Sequence, residues 1–413
     1  MSEPQVAEHG PSVGAIWHDY VTRVRGGDVG SLPAVLGLVA LVTVFSILRP
    51  DSFTNAFNFA NLINQSAGVM VIAMGLVFVL LLGEIDLSAG YAAGTSASVL
   101  GLMMNNHGFP WPLAILAGIV TGGFIGACIG VLVARLGIPS FVVTLAGFLG
   151  LQGVMLMLIG EGGTIPYRDE TILAINNRNL PVWLGWVLTL GGLAVFAFVT
   201  YRRSAARRKA GLHGDPFMLW AIKIGAISTI LIAATAYLSG ERSRNVAAAS
   251  LKGVPIVVAV LAGLLVLLTF LLTRTAWGRH VYAVGGNAEA ARRAGINVAW
   301  IKLTCFIICS ALAAIAGLLI ASRDNSVSPS TGGDTTLLFA VGAAVIGGTS
   351  LFGGKGRILD AVLGGLVVAV INNGMGLLNQ KQSVVYIVTG LVLLLAASVD
   401  AISRRRAQAS GRA

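Results

Sequence analysis

The sequence predicts an all-α polytopic membrane protein, with about 12 transmembrane helices, two interrupted helices and a short cytoplasmic helix between spans. Three observations lead there. Of 413 residues, 56% are hydrophobic and only 11% charged, less than half the charged share of a soluble domain. The apolar residues gather in long runs that a water-facing surface could not hide. The basic residues lie in the short segments between the runs, where orientation in a bilayer would place them, so a net charge of +11 points to a membrane and not to nucleic acid.

Residues 1–31 form a polar N-terminal tail without the apolar core of a signal peptide. Within it Ile16, Trp17, Tyr20, Val21 and Val24 recur at helical spacing beside Arg23 and Arg25, which suits either a helix lying on the membrane face or an ordinary tail. Twelve apolar runs follow, bounded by 32–48, 66–82, 87–104, 113–136, 141–159, 182–201, 217–238, 254–272, 301–321, 337–349, 358–378 and 384–402. Together they make a transmembrane region of 32–402, followed by a basic tail at 403–413. Cys128, Cys305 and Cys309 all sit in apolar runs without metal-type spacing and read as small buried side chains. The 53 glycines fit a membrane bundle, where small residues let helix backbones approach.

Twelve spans return both termini to one side. With that side cytoplasmic, 19 Lys and Arg fall inside and 8 outside, as the positive-inside rule requires. The chain is therefore expected in a bacterial cytoplasmic (inner) membrane, multi-pass, with both termini cytoplasmic.

Two places break the pattern in the same way. Val77–Gly94 reads VFVLLLGEIDLSAGYAAG and Ala343–Gly364 reads AAVIGGTSLFGGKGRILDAVLG. Each is an apolar half, a Gly-rich polar break and a second apolar half. Paired interruptions are the mark of transporters built from repeats, and the freed backbone must face protein or a wet cavity. Glu84, Asp86 and Ser88 in the first break, and Gly347, Gly348, Gly353 and Gly354 in the second, are the candidates for a broken-helix gate. A mid-membrane carboxylate costs about 2.5–3.5 kcal/mol, so Glu84 and Asp86 must hold backbone, take part in gating or relay protons. Amides recur within or beside apolar runs at Asn61, Asn64, Gln65, Gln152, Asn372 and Asn373. Such groups either glue helices together or line a solute pathway. Asn372 and Asn373 are adjacent, so one can glue while the other faces the pathway.

The cytoplasmic loop 274–300 holds the most informative segment. Asn287 suits a helix N-cap, Glu289 lies in the first turn, Arg292 and Arg293 in the last, and Gly295 is placed to end the helix. A helix of about seven residues, roughly 10 Å long, cannot cross a bilayer. It would lie along the membrane face with Ala288, Ala291 and Ala294 as a close-packing side.

Glu289–Gly295, EAARRAG, resembles the EAA---G loop of ABC importer permeases. GEIDLSAG (83–90), IPSFVVTLAG (138–147), TAWGRHVYAVGGNAEAARRAGINV (275–298) and VIGGTSLFGGKG (345–356) likewise resemble ribose/xylose-type sugar permeases. The blocks run in order and span most of the chain. The two extra spans at 182–238, with the connector YRRSAARRKAGL, resemble the xylose-type branch in particular. One departure precedes VIGGTS: Leu337, Leu338 and Phe339 stand where that family commonly has an ELDAIA-like acidic stretch. The resemblance implies a permease subunit in which Asn287, Glu289, Ala290, Ala291, Arg292 and Gly295 form the coupling helix that docks on an ATPase. It implies as partners an ABC ATPase subunit, an extracytoplasmic sugar-binding protein and a second permease chain.

The chain is not expected to be an enzyme. Gly353-Gly354-Lys355-Gly356 lacks the upstream Gly and the following Ser or Thr of a phosphate-binding loop, so no cofactor is expected in this chain, and ATP with Mg would sit on the partner. His9, His18, His107, His213 and His280 are scattered without metal spacing, and no metal is expected. An ion-coupled secondary transporter, using Glu84, Asp86, Asp360 and Asp400, is the main alternative. An ABC permease for another small solute is the nearer one.

Overall fold

The computed structural model describes residues 30–160, 162–210, 217–243, 246 and 250–409. The stripe of Ile16, Trp17, Tyr20, Val21 and Val24 lies outside the described residues, as do Glu161 and His213. The chain divides into two compact units, 179–254 and 30–178 with 255–401, to which the termini add little that is described.

In the larger unit α1 (Leu32–Leu48) leads through a single turn, α2 (Pro50–Phe53), into α3 (Ala56–Leu81). Asn55 caps α3 by accepting a hydrogen bond from the Phe57 amide at 2.9 Å. The helix starts ten residues before the apolar run at 66, because Asn58, Asn61, Asn64 and Gln65 belong to it and meet protein groups or a cavity instead of lipid. From Val71 to Leu81 every side chain is buried, which makes α3 the central post. After a break come α4 (Ala89–Asn105), α5 (Trp111–Ala134) and α6 (Ser140–Ile159). Strand β1 (Ile165–Pro166) and α7 (Glu170–Asn177) close this part.

The smaller unit holds α8 (Val182–Lys209) and α9 (Phe217–Ser239). Their hydroxyls meet at Thr189 and Thr235, 2.8 Å apart, and the Trp220 indole donates to Thr200 at 3.0 Å. Arg242 folds the following loop by donating to the carbonyls of Leu238 and Gly253.

The larger unit resumes with α10 (Ile256–Arg274), the surface helices α11 (Ala276–Gly286) and α12 (Ala288–Arg293), and the 27-residue α13 (Val298–Asp324). Strand β2 (Ser326–Val327) pairs antiparallel with β1. Helices α14 (Asp334–Gly347), α15 (Ile358–Leu377) and α16 (Gln382–Ala409) complete the chain.

Small residues set the packing. Gly118, Gly122, Gly126 and Gly130 form one ridge on α5. A Cβ on Gly122 would lie 2.4 Å from the Ser310 carbonyl oxygen, and one on Gly126 2.4 Å from that of Phe306. The order of these contacts runs α5 antiparallel to α13. Gly68 and Gly75 of α3 meet Ile320 and Cys309 in the same antiparallel sense. Such close approach gains dispersion contacts that a lipid-facing surface cannot supply.

All 12 apolar runs carry helices. Among the described residues nine are long and apolar enough to cross a membrane, by length and composition. The other three, α1 and α4 of 17 residues and α14 of 14, are shorter than the roughly 20 residues of a simple span. Both α4 and α14 adjoin a break, as interrupted helices should.

Candidate functional site: a break junction and a polar cavity

The first break spans 82–88 and turns at Gly83, whose φ of +73° places it in the left-handed region. Asp86 is 0% exposed. Its Oδ1 accepts from the Ser88 amide at 2.9 Å and the Ser88 hydroxyl at 2.5 Å, which fixes the entry to α4. From the start of α6, the Ser140 hydroxyl accepts from the Ile85 amide at 3.3 Å. The Thr144 hydroxyl donates to the Ile85 carbonyl at 3.2 Å. In the sequence this stretch carries both a block of the resemblance, 138–147, and the start of the apolar run 141–159. Its hydroxyls hold the break, a role that nothing in their spacing announces.

The second break lies at 348–357 and holds three left-handed glycines, Gly348, Gly353 and Gly354. It closes onto α15 at Asp360, whose carboxylate accepts from the Arg357 amide at 2.8 Å and from its guanidinium at 3.0 Å. Gly347 packs against the Asp360 backbone so tightly that a Cβ would fall 1.8 Å from its carbonyl oxygen.

The two breaks meet. The Gly354 amide donates to the Leu81 carbonyl at 2.9 Å. Gly285, near the end of α11, presses on the same carbonyl, where a Cβ would come within 1.8 Å of the oxygen. The Tyr282 hydroxyl, one turn earlier, donates to the Gly356 carbonyl at 2.8 Å. Lys302, in the first turns of α13, forms an ion pair with Glu84. The loop 274–300 and its flanks thus touch both breaks at one junction.

Helix α11 has no plain signature in the sequence, because Gly278, His280, Gly285 and Gly286 dilute its apolar face. Thr275 caps it by accepting from the Gly278 amide at 3.0 Å, and Gly278, Val281 and Val284 are its buried side. Helix α12 has six residues. Asn287 Oδ1 accepts from the Ala290 amide at 2.9 Å. Its far end is a Schellman turn: Gly295, φ +83°, donates to Arg292, and Ile296 donates to Ala291. Ala291 is buried and Ala288 half-buried. Ala294 is exposed, because it is the C-cap and lies past the last turn, so the packed side has two alanines instead of three. Glu289 bridges Arg292 at 2.9 Å and Arg293 at 3.3 Å on the open face. Exposed pairs of this kind are worth only about 0.2–1 kcal/mol, so these charges remain available to a partner.

At the other end of α3 a cavity of about 540 Å³ opens between α3, α13, α14 and α15. Asn61, Gln65, Asn372, Arg323 and Thr336 give it polar groups, and Phe339 an aromatic face. The Arg323 guanidinium is tied to Asp324 at 2.8 Å and to the Gln65 carbonyl at 3.2 Å. Of the amides singled out from sequence, Asn61, Gln65 and Asn372 line this space, while Asn64, Gln152 and Asn373 do not. The Asn64 carbonyl accepts from Asn176 at 3.3 Å. Asn373 is buried and exchanges two hydrogen bonds with Asn58, each 2.8 Å. The adjacent amides therefore divide their work, with Asn373 joining helices and Asn372 facing the cavity.

A helical bundle interrupted at two places and hollow at one end is built as the polytopic membrane transport proteins are. Residues 58–397 match the family described as branched-chain amino acid transport system / permease component, and the chain belongs to that family. It is 36% identical over 373 residues to the xylose transport system permease protein of Escherichia coli (strain K12), covering 90% of this chain and 92% of that protein. It is 30% identical over 385 residues to the ribose import permease protein of the same strain, covering 92% and 96%. It is 29% identical over 376 residues to the fructose import permease protein of Rhizobium meliloti, covering 90% and 86%. No solved structure matches the chain.

Proposed function

We propose that this chain is the membrane-spanning permease subunit of an ATP-driven importer of xylose or a closely related monosaccharide. The observation that carries this reading is the similarity to a xylose permease along nine-tenths of both chains. The geometry supports it. The cavity offers amides, hydroxyls and an aromatic face, which suit a neutral polyol, and its one guanidinium is already paired with Asp324. Gln65 and Asn372, with Asn61, are the pathway residues.

Helix α12 is the surface on which a separate ATPase subunit docks, with Asn287, Glu289, Ala290, Ala291, Arg292 and Gly295 forming or capping it. ATP and Mg bind on that partner. A second copy of the permease and an extracytoplasmic sugar-binding protein complete the importer, in an inner membrane with both termini cytoplasmic. Glu84, Asp86, Ser88 and the glycines 347, 348, 353 and 354 form the gate. The ion-coupled alternative is less well supported, since Glu84 is paired with Lys302 and Asp360 with Arg357.

Co-purification from native membranes, followed by reconstitution with the binding protein, tests the reading. A stoichiometric ATPase whose turnover rises with one liganded sugar-binding protein is the expected result. A chain that purifies alone and moves sugar on a proton gradient would overturn it.

A further inference from the structure

Lys302 lies outside every residue so far given a role in transport, yet it makes the one side-chain ion pair between the cytoplasmic loop's flank and the first break among the described residues. Both partners are mostly enclosed, with 24% of the lysine and 16% of the Glu84 side chain exposed. Enclosure matters because a charge pair shielded from water acts more strongly than one on the surface and costs more to disrupt. The placement of Lys302 is rigid. Helix α12 ends in its Schellman turn at Gly295 and Ile296. The next residue, Asn297, already caps α13 by accepting from the Trp300 amide at 3.0 Å. Four residues after that cap's first helical position comes Lys302. No slack segment lies between α12 and the lysine. The Trp277 indole adds a brace by donating to Thr304 at 2.9 Å, which ties α11 to the same turn of α13.

The contacts of α11 are of another kind. Gly285 pushes on the Leu81 carbonyl, and Tyr282 holds Gly356. The push acts on the end of α3 in one sense only, and the Tyr282 tether reaches the first break only through the second, by way of the hydrogen bond from Gly354 to Leu81. The Glu84 carboxylate is the group by which the loop can also pull the first break back.

We infer that Lys302 is a positioning residue for transport, and that its ion pair with Glu84 carries the motion of α12 to the first break in both directions. This rests on the permease reading above and names the residue through which its coupling runs. The Glu84 and Lys302 pair is a latch on the break itself. Ser140 and Thr144 brace that break from α6, and Asp86 fixes its entry to α4 beside Cys309 of α13, two turns beyond Lys302.

The test uses the assembled importer, with its ATPase and binding protein, in proteoliposomes, comparing Lys302→Met, Glu84→Gln and the exchanged pair Glu84→Lys with Lys302→Glu. Each single variant is expected to keep ATPase turnover while sugar moved per ATP falls about tenfold, the scale of a typical coupling between sites. The exchanged pair is expected to recover much of that ratio, which a loss of fold would not do. A wild-type ratio in both single variants would overturn the proposal. So would uptake and ATPase falling together in step with the amount of folded protein.

A second readout does not depend on transport. In the purified chain, Lys302→Met is expected to speed amide hydrogen exchange across 82–88 and to leave 350–356 unchanged. Unchanged exchange at 82–88 would overturn the latch even for a chain that pumps nothing. An importer that shows no ATP-driven uptake at all, with exchange at 82–88 still responding, would instead overturn the functional reading alone.

Discussion

At Asn373 the amide gives and receives one hydrogen bond with Asn58, and both side chains are buried. Removing one partner leaves the other with an unmet acceptor, at a cost of about 1–3 kcal/mol. Asn373→Ala is therefore expected to lower the thermal midpoint of the purified chain. Asn372→Ala is expected to leave the midpoint unchanged and to raise the KM for sugar uptake. Equal effects on stability would deny the division of labour. The sequence presents the two residues alike. Only the helical rotation of about 100° per residue, combined with where the neighbours lie, separates them.

In the smaller unit the Glu241 carboxylate accepts from the amides of Leu251 and Ser243, both at 2.9 Å, and from the Ser250 hydroxyl at 2.7 Å. The Leu251 amide first, then the others, lowers its pKa from an ordinary 4.5 to about 2. The folded value lies below the unfolded one, so the stabilisation is complete above about pH 4.5 and is lost as pH falls towards 2. Exchange at the Leu251 amide should be equally protected at pH 7 and pH 5. Protection should fall in acid, and Glu241→Gln should weaken it at pH 7.

The glycine ridge of α5 shows how an element is placed by what it lacks. A side chain at Gly126 would collide with the Phe306 carbonyl at 2.4 Å, whereas Gly123, three residues earlier, has nothing within 4 Å. Gly126→Leu should abolish the yield of monodisperse protein, and Gly123→Ala should not change it. Helix α12 is the opposite case, legible almost residue by residue. Asn287, Glu289 and Gly295 each obey a local rule, and local rules survive without tertiary context. Its neighbour α11 was illegible because its glycines serve packing partners distant in sequence. The early start of α3 escaped for the same reason, since the partner of Asn58 lies on α15. Glu289→Lys sets a positive charge at the helix N-terminus and removes both bridges to arginine. It should leave the chain inserted at normal levels but uncouple uptake from ATP, measured as sugar moved per ATP. Normal uptake would argue against α12 as the docking helix.

Across the whole molecule the cavity and the junction lie at opposite ends of one post. From Gln65 to Leu81, α3 rises roughly 24 Å at 1.5 Å per residue, most of a bilayer's hydrocarbon thickness. In the proposed orientation, with cytoplasmic termini, the junction would face the side of the proposed ATPase and the cavity the outer side. Cysteine labelling checks this orientation. In a Cys128→Ser background, a membrane-impermeant maleimide added to intact cells should label Lys381→Cys and spare Lys355→Cys. The reverse pattern would invert the assignment. The order of the apolar helices was readable because apolar runs are local. The meeting of the two breaks was not, since it is built from main chain. That construction has its own consequence. The Leu81 carbonyl receives an amide from one side and a bare methylene from the other, and no side chain takes part. An alanine scan would leave this hydrogen bond in place, because alanine at position 81 keeps the carbonyl and changes only the buried side chain. The joint would instead answer to a change in the polymer itself, an ester in place of the amide at Gly354, which deletes one donor and leaves every side chain as it was.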